Sequence, residues 1–81
     1  MEMVVIEGSG SDDPQLSILT NRERQILTLI ASGHSTKQTA SVLGITFKTA
    51  AGHRSQLMKK LRIHDTASLV RFAIRAGLVA P

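Results

Sequence analysis

An all-α fold, four short helices arranged as a bundle-like domain around a central helix-turn-helix, is what these 81 residues predict. Three observations carry that expectation. Two capping boxes, Thr20-Asn21-Arg22-Glu23 and Ser35-Thr36-Lys37-Gln38, each precede apolar residues at helical spacing. Gly33, Gly44 and Gly77 stand just past such runs, where glycine ends a helix without steric cost. Between Leu43 and Phe47 only Gly44, Ile45 and Thr46 separate two helical patterns, the very short glycine-containing turn of a helix-turn-helix.

Taken in order, residues 1 to 18 are expected to be a flexible acidic arm or linker. Its stretch Glu7-Gly8-Ser9-Gly10-Ser11-Asp12-Asp13-Pro14 mixes turn formers with charge and has no apolar period. The folded domain is expected over 19 to 81. Its first helix opens at the Thr20 box, turns Ile26, Leu27, Ile30 and Ala31 inward and stops at Gly33. The second runs from the Ser35 box to Leu43. Thr46 caps the third, expected from about Phe47 to Leu61. At about 100° per residue, Phe47, Ala50, Leu57, Met58 and Leu61 gather on a core side of that helix. Lys48, Gly52, Ser55, Gln56 and Lys59 gather opposite. A face of small and basic residues on the second helix of such a motif suits a DNA major groove. Asp65 caps the fourth helix, expected over Thr66 to Ala76 before Gly77. Its apolar residues, Ala67, Leu69, Val70, Phe72, Ala73, Ile74 and Ala76, cover an arc of roughly 220°, more than the ~100° one core needs. The surplus flank predicts a homodimer through this helix, with Val70 and Ile74 at the interface.

Composition narrows the chemistry. The chain has no cysteine, which removes disulfides, thiolate metal sites and thiol catalysis. No apolar run approaches the ~20 residues of a membrane span, and the charge pattern of the first residues is not that of a signal peptide, so a cytoplasmic location is expected. Ten Lys and Arg oppose six Asp and Glu, for a net charge of +4. All ten bases lie between Arg22 and Arg75, whereas four of the acids fall in the first eighteen residues. From Leu19 onward ten bases face two acids, a charge of +8, which points to a polyanionic partner. There is no Trp or Tyr, and both Phe47 and Phe72 fall on faces expected to be core, so no stacking platform for single strands is available. Duplex DNA is the better polyanion. His34, His53 and His64 form no ligand-like pair and no metal or cofactor is expected. No Ser, His and acid can be assigned as a triad, because Glu23 and Asp65 are already used as caps, and no enzymatic activity is expected. Glu23, the only acid of the first three helices, is expected to pair with Arg54.

From Leu19 to Pro81 the chain resembles the LuxR-type (GerE, FixJ, NarL) helix-turn-helix family. The resemblance is carried by Leu19-Thr20-Asn21-Arg22-Glu23-Arg24-Gln25-Ile26-Leu27, Ile30-Ala31-Ser32-Gly33-His34-Ser35-Thr36-Lys37, Leu43-Gly44-Ile45-Thr46, Lys48-Thr49, His53-Arg54-Ser55-Gln56-Leu57-Met58-Lys59-Lys60-Leu61 and Ala73-Ile74-Arg75-Ala76-Gly77-Leu78. It implies the tetrahelical DNA-binding output domain of a bacterial transcription regulator, such as a two-component response regulator, acting on double-stranded promoter DNA and usually as a dimer. RNA polymerase is a further candidate partner. Family members often carry a receiver or ligand-sensing domain, and neither is readable in these residues.

Carried over position by position, the resemblance assigns phosphate contact to Thr36, Lys37, Thr46, Lys48, Thr49 and Lys59. Two helix N-termini with free N–H groups, joined by hydroxyls and ammonium groups, suit that task. The base-facing positions fall on Ala51, Gly52 and Ser55, with Gln56 beside them. Here the chain departs from its relatives, which more often place long basic or branched residues at these sites and an apolar branched residue at Ala50. Ala51 and Gly52 cannot make the bidentate hydrogen bonds that identify guanine or adenine, so Ser55, Gln56, Arg54, DNA shape and half-site spacing are left to discriminate. In the second helix Gln38-Thr39 replaces the usual Glu-Ile, putting a hydroxyl where a buried apolar side chain is expected. Two other functions fit parts of the pattern. A sigma-factor region-4-like domain shares the Leu-Thr-x-Arg-Glu opening, and a helical interaction module without DNA binding would explain Ala50, Ala51 and Gly52.

Overall fold

The computed structural model describes residues 14–81. A 3-10 turn, Pro14–Ile18, leads into α1 (Asn21–Ala31), α2 (Thr36–Leu43), α3 (Phe47–Leu61) and α4 (Thr66–Arg75), with no strand among the described residues.

The helix starts follow the local chemistry. Thr20 Oγ1 accepts the Glu23 N–H at 3.1 Å while Glu23 Oε1 accepts the Thr20 N–H at 2.9 Å. Ser35 and Gln38 repeat the exchange at 3.0 and 2.8 Å. Thr46 Oγ1 takes the Thr49 N–H, and Asp65 takes the Ser68 N–H. Each such cap is worth about 1 kcal/mol. The helix ends share one device. In every case the N–H two or three residues beyond the helical run returns to a carbonyl five residues back: His34 to Leu29, Ile45 to Ala40, Ile63 to Met58 and Leu78 to Ala73. The residue between is left-handed, and at three ends it is glycine. At the end of α3 it is Arg62, with φ 57°, a conformation that costs a residue with a Cβ about 1–2 kcal/mol. The return places Ile45, Ile63 and Leu78 against the core.

Helix α1 packs against each of the other three, and α3 lies against both α1 and α2. Leu16, Ile26, Leu27, Leu57, Leu69 and Phe72 are sealed at their meeting point. The expectation of an arm reaching residue 18 is corrected at its inner end. Pro14–Ile18 belongs to the fold, because Leu16 fills the core and its carbonyl is held by the Arg24 guanidinium at 2.9 and 3.2 Å. The rest of that expectation, residues 1–13, lies outside the described residues.

The pairing of Glu23 is also corrected. Its buried carboxylate meets Lys60 Nζ at 2.8 Å, not Arg54. Burial raises the pKa of Glu23, but the Lys60 ammonium and the Thr20 amide outweigh it and hold the carboxyl below its ordinary value near 4.5. A carboxylate with a depressed folded pKa contributes stability at pH above about 4.5, and loses it as the pH falls through the lower folded value. Glu23→Gln, which keeps an acceptor for Thr20 but no charge for Lys60, is expected to lower stability at pH 7 by about 1–2 kcal/mol. Its thermal midpoint should also depend less on pH than wild type between pH 5 and about 3. Identical acid profiles would show the ion pair to be idle.

Thr39 is fully buried, as its position predicts, and its hydroxyl has no hydrogen-bond partner. An unpaired buried hydroxyl costs about 1–3 kcal/mol, so this substitution works against the core of α2. On α4, Leu69, Phe72, Ala73 and Ala76 are buried, Val70 and Ile74 are half-buried, and Ala67 is exposed. The core therefore takes in most of the wide apolar arc and leaves one flank, Val70 and Ile74, partly open.

Candidate nucleic-acid interface

The candidate interface is built on the N-termini of α2 and α3 and on the outward face of α3. Capping decides which groups are free to donate there. At the start of α3 the Thr46 hydroxyl accepts the Thr49 N–H at 3.1 Å and donates to the Thr49 hydroxyl at 3.0 Å. The Thr46 proton is thus spent, while the Thr49 hydroxyl keeps its own proton for an outside acceptor. The N–H groups of Phe47 and Lys48, in the first turn, have no intrahelical partner to reach. At the start of α2, Ser35 is engaged with Gln38, leaving the first-turn N–H groups of Thr36 and Lys37 in the same condition.

Arg54 fixes these parts relative to one another. Its guanidinium donates from Nη1 to Thr36 Oγ1 at 3.0 Å and from Nη2 to Thr66 Oγ1. One side chain in the middle of α3 therefore ties down the N-terminal turns of α2 and α4. Sequence reasoning offered Arg54 for Glu23 or for base contact, and its observed work is positional. The helical wheel could have suggested this, because it points Arg54 towards the core side, where a fork of donors finds hydroxyls as readily as an acid.

Of the residues assigned to phosphate, Lys37, Thr46, Lys48, Thr49 and Lys59 are exposed and Thr36 is half-buried against Arg54. Gly52, Ser55 and Gln56 are exposed on α3, with Ala51 half-buried at their margin. The two acids among the described residues are occupied elsewhere: Glu23 by Thr20 and Lys60, and Asp65 by Ser68. The Ser68 amide and hydroxyl hold the Asp65 carboxyl below its usual range. Lys37, Lys48 and Lys59 are thus left without an ion-pair partner among the described residues, and the positive field of this face is not neutralised from within.

Phe47 corrects the expected core. It is 58% exposed, although helical projection assigned it to the buried side with Ala50. It lies roughly 60° from the line through Ala50, Leu57 and Leu61, in the first turn of α3, and Ala50 is the first residue of the helix to be buried. The expected assignment of Ala50, Leu57 and Leu61 to the core holds.

Gly52 has open space around it: a Cβ built there would meet nothing within 4 Å. Gly52→Ala is therefore expected to raise thermal stability by about 0.5–1 kcal/mol, the helix-propensity difference. Loss of duplex affinity in that more stable variant would show that a bare backbone is needed at the DNA, and unchanged affinity would show that it is not. No group of three or more His, Asp or Glu able to hold a metal is found among the described residues, and no described helix is long and apolar enough to cross a membrane.

Comparison with known proteins gives the family. Residues 17–73 match the family described as bacterial regulatory proteins, luxR family. The transcriptional regulatory protein MctR of Rhizobium johnstonii is 53% identical over 62 residues, which are 76% of this chain and 29% of MctR. The response regulatory protein YgeK of Escherichia coli is 41% identical over 78 residues, 96% of this chain and 51% of YgeK. The oxygen regulatory protein NreC of Staphylococcus epidermidis is 38% identical over 73 residues, 90% of this chain and 33% of NreC. The chain thus spans from under a third to about half the length of these relatives.

Proposed function

The chain belongs to the luxR family of bacterial regulatory proteins, and from that premise we propose that it is a cytoplasmic, sequence-specific binder of promoter DNA that places α3 in the major groove as half of a dimer. The observation that carries this reading is the exposed face of α3 and the adjoining start of α2, with three lysines that no acid among the described residues neutralises. In this reading Lys37, Lys48 and Lys59 sit over phosphates. Thr36, Thr49 and the open N–H groups of the two helix starts add neutral donors, while Thr46 holds the first turn of α3 in shape. The margin Ala51, Gly52, Ser55 and Gln56 faces the base edges. Arg54 is a positioning residue, which sets the spacing between the two phosphate-gripping helix starts without touching DNA.

Dimerisation is supported by Val70 and Ile74, one turn apart on α4 and still half open after the core is complete. Two such chains related by a twofold axis would bring two α3 helices to half-sites one turn of DNA apart, about 34–36 Å. As the output domain of a response regulator, the chain would take its signal from a partner domain and could in turn touch RNA polymerase.

Selection of bound sequences from a random duplex pool tests binding, symmetry and base preference together. The expected product is an inverted repeat of a short half-site, as a twofold dimer requires. Retention of no sequence above background, with no duplex binding at low salt, would leave the helical interaction module in its place. Sedimentation on the selected duplex should show two chains bound for wild type and one for Val70→Glu. Wild type binding strictly as an independent monomer would contradict the dimer.

A further inference from the structure

Phe47 stands out because the folded domain leaves most of it exposed. It is one of three large apolar side chains strongly exposed among the described residues, with Ile18 and Val42, and it alone lies on α3. Burying the remainder of such a ring is favourable by on the order of 1–2 kcal/mol, a gain the free domain leaves unrealised. Its neighbours say what could realise it. Thr46 precedes it, Lys48 and Thr49 follow it, and all three are exposed. A surface that brings Lys48 and Thr49 to phosphate carries the ring that precedes them in the same helical turn close to the same duplex.

One turn further along, on the same flank of α3 and about 40° away in projection, comes Ala51. Beside it, Gly52 contributes no side chain, and a Cβ there would meet open space. With Lys48 and Thr49 assigned to phosphate, the flank of the N-terminal half that carries Phe47 and Ala51 offers a base edge apolar surface and no side-chain hydrogen bond. In the major groove one feature is read by apolar contact: the 5-methyl group of thymine. Resting on the DNA-binding reading above, we infer that Phe47 is a specificity-determining residue that recognises a thymine methyl at the edge of each half-site, with Ala51 completing the contact. The apolar first turn then supplies base discrimination that Ala51 and Gly52 alone do not, and Ser55 and Gln56 provide hydrogen bonds further along the helix.

The test uses the full chain and the duplex recovered by selection. Each thymine is replaced in turn by deoxyuridine, which removes the methyl group and leaves the hydrogen-bonding edge unchanged. At one or two positions per half-site this is expected to weaken binding about fourfold, the factor that corresponds to one buried methyl. Phe47→Ala should lose that sensitivity while retaining the salt dependence of wild type, since no charge is altered and an exposed ring is removed. A cytosine placed at the sensitive position should bind more tightly when 5-methylated in wild type and not in Phe47→Ala. Equal response of wild type and Phe47→Ala to uracil, no sensitive thymine, or a selected half-site with no thymine would each overturn the inference. Those results with salt-dependent duplex binding intact leave the DNA-binding reading standing; absence of duplex binding at any salt removes both.

Discussion

Leu16→Ala is expected to cost about 3 kcal/mol of stability, a large share of what a domain this small has to lose. Leu16 has no exposed surface and sits with Ile26, Leu27, Leu57, Leu69 and Phe72, so truncating it removes transfer free energy and leaves a cavity in the centre of the core. The five-residue 3-10 turn that carries it is held by the Arg24 guanidinium on its carbonyl, a contact independent of side-chain volume. Thermal unfolding checks this directly. A midpoint within a few degrees of wild type would show that Pro14–Ile18 is an accessory to the fold. A chain beginning at Leu19 should behave at least as poorly as Leu16→Ala.

Ser55→Glu is expected to weaken duplex binding about a hundredfold with no loss of folding. Ser55 is exposed on the outward face of α3, and glutamate is a good helix former, so the free domain gains nothing to accommodate and loses no contact. In the complex the new carboxylate would lie against a polyanion and would compete with phosphate for Lys59, four residues on along the same face, and like charges brought together at an interface cost several kcal/mol. Circular dichroism separates folding from binding. A variant that folds and binds as wild type would mean that this face of α3 is turned away from DNA.

What could be read from the sequence, and what could not, divides along physical lines. Caps and helix ends were legible because they are local: Thr20 with Glu23, Ser35 with Gln38, Thr46 with Thr49 and Asp65 with Ser68 are all three residues apart. The Glu23–Lys60 pair spans 37 residues, and a helical wheel reports only where a Cβ points. Arg54 points closer to the core line than Lys60 does, yet the flexible lysine stem reaches the buried carboxylate and the arginine fork is taken by two hydroxyls. Leu16 was missed because it stands beside the turn-forming Asp12-Asp13-Pro14, and too few residues separate it from the Thr20 cap to show a period. Phe47 was misplaced because hydropathy and projection ignore position along the helix, and at its first turn a flank residue has no neighbour to pack against. For the interface, the basic and hydroxyl residues were legible one by one. Their fixed relation was not, since it depends on Arg54 joining Thr36 to Thr66 across α2, α3 and α4.

The central claim is that the exposed lysines of α2 and α3 hold a duplex, and the most direct measurement is duplex affinity as a function of salt for wild type and Lys48→Ala. Counterion release predicts a steep linear fall of log affinity with log salt concentration for wild type, with a slope smaller by about one in the variant. A salt-independent affinity, identical slopes for the two proteins, or no measurable duplex binding at low salt would contradict it.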